Sequence, residues 1–286
     1  MKTILFSTDF TDSTTDALNW ARLFARQYHA TLVLVHVQPM AVPDAAIPVI
    51  GDLGMGTGGD VDKLFTSPDQ LAVLADQLRA EGITCQTDLR RGAVKDAILL
   101  AAHEHNADLI ITGRSHLNNV FERMAGTSAT GVARGADCPV LVVPVGDDSE
   151  TDSQPVHLQT IIFTTPLEFD QQQAFGQVVD MARAFGATLR VLHVRAENQP
   201  NINDDATMLS QLQTVYGSES LPVDTVDSRT VSGGIETYLS THPADLLVMT
   251  TRERDFLTGL LNPSLTGRMV VLAHGPVLVF RAEVSL

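Results

Sequence analysis

The residues with the most chemistry to offer lie between Gly113 and Gly131, in the stretch GRSHLNNVFERMAGTSATG. An apolar run, ADLIIT, precedes them and another, CPVLVVP, follows. That order reads as strand, loop, helix, strand. Gly126, Thr127 and Ser128 open the predicted helix. Free N–H groups at a helix start, together with the positive end of its dipole, favour an anion. Gly126 lets the backbone approach such a ligand closely, and the Thr127 and Ser128 hydroxyls add donors. The same residue types also make an ordinary helix cap, so this feature alone does not separate the two roles. Gly113 is expected to let the chain turn off its strand. Upstream, Asp9 ends the first predicted strand, and Val37 and Gln38 end the second. A carboxylate at Asp9 would repel phosphate, so its useful partners are hydroxyl and amine donors of a sugar or base.

The elements that must position these residues are written twice. TILFSTDF at Thr3–Phe10 matches TIIFTTPL at Thr160–Leu167, and ARQYHATLVLVHV at Ala25–Val37 matches ARAFGATLRVLHV at Ala182–Val194. Further along, NADLIITG matches PADLLVMT, and CPVLVVP matches GPVLVFR. The offset is 157 residues in the first pairs and 137 in the later ones, so the second copy is shorter by 20 residues. The missing residues fall mostly opposite Met40–Asp62, a Gly- and Pro-rich segment that reads as a loop and is placed to close over a ligand as a lid. VGDDSETDSQPVHL, Val145–Leu158, is acidic and polar and reads as a solvated linker. The expected organisation is a first repeat at 1–145, a linker at 146–158 and a second repeat at 159–286.

Within a repeat, strands and helices alternate. Thr3–Ser7 and Thr31–Val37 read as strands, the second nearly all apolar, as a parallel strand buried on both faces requires. Ala17, Ala21, Phe24, Ala25 and Tyr28 share one face of the helix between them. Ser67-Pro-Asp-Gln70 reads as a capping box that starts a helix with a stripe of Leu71, Leu74, Ala75 and Leu78, stopped by Gly82. Ile83–Leu89, Leu109–Thr112 and Val140–Val143 are further strands, with Ala97, Ile98, Ala101 and His105 on the helix before the second of these. Alternation of this kind predicts an α/β fold with an open, mostly parallel sheet covered on both faces. Ligands of such sheets bind beyond the carboxyl ends of the strands, where strand order reverses.

Bulk properties narrow the function. The chain has 286 residues, 44% of them apolar, and a net charge of −15. Such acidity opposes binding to nucleic acid or an anionic membrane, which needs clustered Lys and Arg. Two cysteines, Cys85 and Cys138, make neither a disulfide framework nor a CxxC pair. The apolar run in MKTILFSTDF is too short for a signal peptide, and no run is long enough to span a membrane. A cytoplasmic location is expected.

The whole set resembles the universal stress protein family, whose nucleotide-binding members carry G-x-x-G, nine residues, then G-[ST]. Here the frame is Gly113, two residues, His116, the nine residues Leu117–Ala125, then Gly126-Thr127. The family's aspartate after the first strand matches Asp9. Its adenine contact, made through backbone at the end of the second strand, matches Val37, and its closing PVLVVP matches Pro139–Pro144. The resemblance covers nearly the whole chain, once per repeat. It implies two tandem Rossmann-like, adenine nucleotide alpha hydrolase-like domains. Their last strands, Val140–Val143 and Val277–Phe280, would pair to make an internal pseudo-dimer, and two chains could associate further as a homodimer. It also implies a stress-response role with ATP, ADP or AMP bound in the first repeat, Mg being optional. The nucleotide would touch Asp9, Val37, Gly113, Arg114, Ser115, His116, Gly126, Thr127 and Ser128, and would serve sensing rather than turnover, with no catalytic residue and no resident metal.

His116 departs from the pattern, standing where the family has glycine. Its side chain would crowd the loop if φ must be positive there, or its ring N–H would donate to a phosphate oxygen. The second copy departs further. Pro166 stands at the Asp9 position, Thr250 at Gly113, Glu253 at His116 and Pro263-Ser264 at Gly126-Thr127. Glu253 repels phosphate and Pro263 lacks an N–H. Arg252, Arg254 and Arg268 lie nearby, but the copy reads as degenerate.

Other chemistries find no support. No Walker lysine follows a glycine loop, no GxSxG elbow occurs, and the nine histidines form no metal pattern. His103 and His105 are two apart on a predicted helix and so face different ways. His36 and His193 occupy equivalent strand positions and read as structural, and Cys138 as a small buried hydrophobe. Two alternatives stay open: a slow ATPase assisted by Asp9 or His116, and a nucleotide-free interaction module with both sites dead. If the His116 ring takes part, a phosphate-bearing ligand binds more tightly below about pH 6.5 than above it, as calorimetry would show. A pH-independent affinity, together with tighter binding in His116→Gly, would instead make His116 an obstruction.

Overall fold

In the computed structural model, which describes residues 1–11, 14–38, 61–114, 128–145, 156–165, 167, 171–197, 205–217, 219–251 and 275–281, ten strands form one sheet. The first repeat runs β1 (Thr3–Ser7), α1 (Thr15–Tyr28), β2 (Thr31–Gln38), α2 (Val61–Ala80), β3 (Cys85–Arg91), α3 (Val94–Glu104), β4 (Leu109–Arg114), α4 (Ser128–Gly135) and β5 (Val140–Pro144). The second runs β6 (Thr160–Thr165), α5 (Gln172–Phe185), β7 (Thr188–Ala196), α6 (Asp205–Tyr216), β8 (Val223–Ser228), α7 (Val231–Thr241), β9 (Leu246–Thr251) and β10 (Val277–Arg281). Their order across the sheet is β3-β2-β1-β4-β5-β10-β9-β6-β7-β8. Each half has the same order about a central two-fold, which is what a duplicated unit should give. This is the expected α/β, mostly parallel architecture.

Within each half, strand order reverses beside the first strand. The chain leaves β1 for β2 and β3 on one side, then crosses to β4 and β5 on the other. β1 pairs in parallel with both β2 and β4. The crevice between the ends of β1 and β4 is therefore where a ligand site belongs.

Period-two alternation buries both faces. Ile4, Phe6, Leu32, Leu34 and Ile111 pack with Trp20, Phe24 and Leu71 under α1 and α2. Leu5, Val33, Val35, Ile110 and Val142 pack with Ile98, Ala101 and Val132 under α3 and α4.

The halves join through β5 and β10, the one antiparallel strand pair among the described residues, with Val277 opposite Val142 and Val279 opposite Val140. Val140, Leu141, Leu278 and Val279 are at most 1% exposed. Above this seam α1 meets α5. The Phe24 and Phe185 rings are 5.2 Å apart, and the Gln27 amide donates to the Ala184 carbonyl. Burial pushes the Tyr28 phenol, packed edge-on against Phe185, up to about 12.

Three expectations need correction. The Ser67 capping box does not start a helix, since α2 begins at Val61 and carries Pro68 in its interior. A local cap signal is overridden where the residues before it also take helical backbone, at the cost of the one hydrogen bond that Pro68 cannot donate. Val61 and Asp62 consequently belong to α2, and the rest of the expected loop Met40–Asp62 lies outside the described residues. Gly113 is not a turn residue either. It continues β4, opposite Val143, and Arg114 follows opposite Pro144. The stripe on α3 holds for Ala97, Ile98 and Ala101, whereas His105 is its C-cap.

That cap ties α3 to the edge strand β3. The His105 ring lies 2.9 Å from an Asp88 carboxylate oxygen, which also accepts from Arg90 at 2.7 and 2.9 Å. Arg90 reaches Glu104 as well. Burial alone would raise the Asp88 carboxyl, but the Arg90 and His105 contacts outweigh it and hold it below its ordinary value. A carboxyl lowered in the fold contributes stability that is complete above the unfolded value and lost as the pH falls through the folded one. Asp88→Asn should cost about 2 kcal/mol at neutral pH, and its urea midpoint should fall less than the wild type's below about pH 4. Parallel acid profiles for the two proteins would contradict this assignment.

Candidate functional site

The end of β1 is built to turn sharply. The Thr8 N–H donates to the Val35 carbonyl at 2.9 Å, extending the ladder by one residue. Phe10 then adopts a left-handed φ of 59°, costly for a residue with a bulky side chain. Three contacts hold it there. Its N–H donates to Thr8 Oγ1 at 3.0 Å, its ring lies 4.8 Å from that of His36, and His36 Nδ1 donates to the Thr8 carbonyl at 2.8 Å. Asp9, between the pinned residues, accepts from the Thr11 N–H at 3.0 Å and the Thr11 hydroxyl at 2.6 Å through one oxygen. Its side chain stands exposed over the strand ends.

The second repeat repeats this device. Leu167 has φ 54°, its N–H donates to Thr165 Oγ1 at 3.1 Å, and His193 Nδ1 donates to the Thr165 carbonyl at 3.1 Å. The paired histidines are therefore structural ties between the second strand of each repeat and the loop after the first.

Beyond the β1–β4 crevice lies a cavity of about 240 Å³. Asp9, Val37, Gly113, Arg114 and Ser128 all line it, over an apolar floor of Val35, Val94 and Ile98. Five of the nine residues singled out from the sequence thus meet at one place. Ser115, His116, Gly126 and Thr127 lie outside the described residues. Ser128 is the first described residue of α4, and that end of the helix faces the cavity. Arg114 is half-buried, and burial lowers its guanidinium below the ordinary value. A cation, a helix end, an acid and apolar residues in one lining suit a ligand that combines an anionic group, hydroxyls or amines and an apolar ring.

Four hydroxyl residues of the lining, Ser7, Thr8, Thr14 and Thr112, belong to no spacing motif. The available signal was the repeat itself, since Thr8 has Thr165 as its counterpart. A second cavity of about 480 Å³ opens on the opposite face, between α1 and α2, lined by Phe6, Phe10, Leu18, Val73 and Leu74 and sharing Thr8 and Thr14. Although larger, it meets the crevice where strand order reverses only at Thr8 and Thr14, and its lining holds none of Asp9, Val37, Gly113, Arg114 and Ser128.

In the second repeat Thr250 lies in β9 at the Gly113 position. Pro166, Arg252, Glu253, Arg254, Pro263, Ser264 and Arg268 lie outside the described residues. Among the described residues no group of three or more His, Cys, Asp or Glu could hold a metal ion, and no helix is long and apolar enough to cross a membrane.

Known proteins match this chain twice over. The model of the universal stress protein family matches residues 1–144 and 159–281. A universal stress protein of Methanocaldococcus jannaschii is 26% identical over 144 residues, 50% of this chain and 81% of that protein. One from Synechocystis is 31% identical over 147 residues, covering 50% of this chain and 85% of its own. Among solved structures, a universal stress protein of Archaeoglobus fulgidus superposes on 98% of this chain and 96% of its own, with a TM-score of 0.69 at 17% identity. At that identity the likeness is one of fold.

Proposed function

This chain belongs to the universal stress protein family, and from that premise we propose that its first repeat binds ATP or a related adenine nucleotide as a signal rather than a substrate. The supporting observation is the cavity at the β1–β4 reversal, lined by an acid, a cation and a helix start. Its volume of about 240 Å³ lies just below the range for a whole drug-sized ligand, roughly 300–1,000 Å³. It would take the base and sugar, with the phosphates directed toward Ser128.

In this reading Asp9 accepts from ribose hydroxyls. The strand end at Val37 offers backbone to adenine, and the apolar floor excludes water from the base. Arg114 and the α4 start counter phosphate charge, with Ser115, His116, Gly126 and Thr127 completing the phosphate loop. Mg, if present, would ride on the phosphates. Among the described residues of the cavity none pairs as nucleophile and base, and this reading takes binding over turnover. Pairing of β5 with β10 makes each repeat the other's dimer partner, and a cytoplasmic setting supplies the nucleotide.

Denaturing the purified protein and counting released nucleotide by chromatography and mass tests this directly. About one adenine nucleotide per chain is expected. Asp9→Ala should weaken binding about tenfold, the worth of one hydrogen bond to a charged group, without shifting the melting temperature by more than about 2 °C. No nucleotide, even after incubation with millimolar ATP, would leave an interaction module as the function.

A further inference from the structure

Two of the positions at which the repeats differ face each other across the ligand crevice, one at a helix cap and one at a strand end. α1 and α5 are equivalent helices, with N-cap residues Thr14 and Gln171. β4 and β9 are equivalent strands, with Gly113 in one where Thr250 stands in the other. In the first repeat the Thr14 hydroxyl donates to the Thr11 carbonyl at 2.8 Å and lies 3.2 Å from Thr8 Oγ1. The bonds stop there, and both Thr14 and Gly113 line the cavity.

In the second repeat the bonds continue across the crevice. The Thr165 hydroxyl, counterpart of Thr8, donates to Gln171 Oε1. Gln171 Nε2 in turn donates to Thr250 Oγ1. Gln171 is 5% exposed and Thr165 3%. A buried amide bonded at both ends is held firmly, because leaving either end unmet costs about 1–3 kcal/mol. Gln171 reaches two bonds further from its Cα than threonine, and Thr250 adds a side chain where the first repeat has none.

We infer that Thr165, Gln171 and Thr250 form a built-in stopper, in which Gln171 fills the space between β6 and β9 that a ligand uses between β1 and β4. The inference rests on reading the first repeat as a nucleotide site. It assigns the silence of the second repeat to two residues at the strand ends, independent of its phosphate loop. The chain then carries one ligand in a doubled scaffold, with the second half as a self-occupied partner.

The test is a reciprocal swap in the full chain, read by equilibrium dialysis with adenosine. Without phosphate, adenosine does not depend on Glu253 or Pro263. Wild type should bind about one adenosine per chain. Gln171→Thr with Thr250→Gly should bind about two, and Thr14→Gln with Gly113→Thr should bind at least about 100-fold more weakly. A folded Gln171→Thr/Thr250→Gly protein that still binds one overturns the stopper. If that double variant does not fold, Gln171→Thr alone is used, and it should show a second, weaker site; its absence counts against the stopper equally. If wild type binds none, the nucleotide reading fails, and the stopper is judged by hydrogen exchange instead. The Gln171 side-chain amide should exchange at least about 100-fold more slowly than that of exposed Gln173, and equal rates would overturn it.

Discussion

The pairing of β5 with β10 is the contact on which the rest of the molecule depends. A parallel sheet covered on both faces still has edges, and an apolar edge strand must be covered. Each repeat ends in such a strand, VLVV in one and VLVF in the other. Antiparallel pairing of the two satisfies both at once and leaves only β3 and β8 as edges. Those are polar, with Asp88, Arg90, Asp224 and Asp227 along them. The seam also brings α1 beside α5, so the aromatic contact of Phe24 with Phe185 adds to the strand pairing. It fixes the two reversal points in one rigid sheet.

Once the sheet is fixed, function turns on what stands above its carboxyl ends. Both repeats store the same backbone strain there, at Phe10 and Leu167, and both hold it with a histidine from the neighbouring strand. The scaffold is therefore equally prepared in each half. What differs is how the side chains at the crevice are joined. Glycine in β4 and threonine at the α1 cap leave a cavity in the first half, while the corresponding residues are joined through Gln171 in the second. Duplication gave one continuous sheet with two reversal points, and under the proposed stopper small changes in side-chain length would set the two halves apart in use.

Much of this was legible in the residues because periodicity carries it. Apolar runs located β1, β2, β4, β5 and β10 to within a residue or two, and the internal repeat showed that the halves share one fold although the second lacks several of the first's site residues. Asp9, Val37, Gly113, Arg114 and Ser128 could be gathered at one edge because parallel strands bring all their carboxyl ends to the same side. Side-chain reach was not legible. Thr14 and Gln171 look unrelated until α1 and α5 are superposed, and the partners of Gln171 are 6 and 79 residues away. Pro68 misled because a cap signature is local, whereas α2 owes its length to residues on both sides. Gly113 misled for a different reason: glycine is read as freedom to turn, but in β4 its missing side chain leaves room above the strand ends.

The most direct measurement is the backbone amide spectrum of isotopically labelled full-length protein titrated with ATP. The account predicts shifts concentrated at Asp9, Val37, Gly113 and Ser128, with Thr165, Gln171 and Thr250 unmoved. Shifts centred instead on Phe10, Leu18 and Val73 would move the ligand to the larger cavity between α1 and α2, and a spectrum unchanged by millimolar ATP would contradict nucleotide binding altogether.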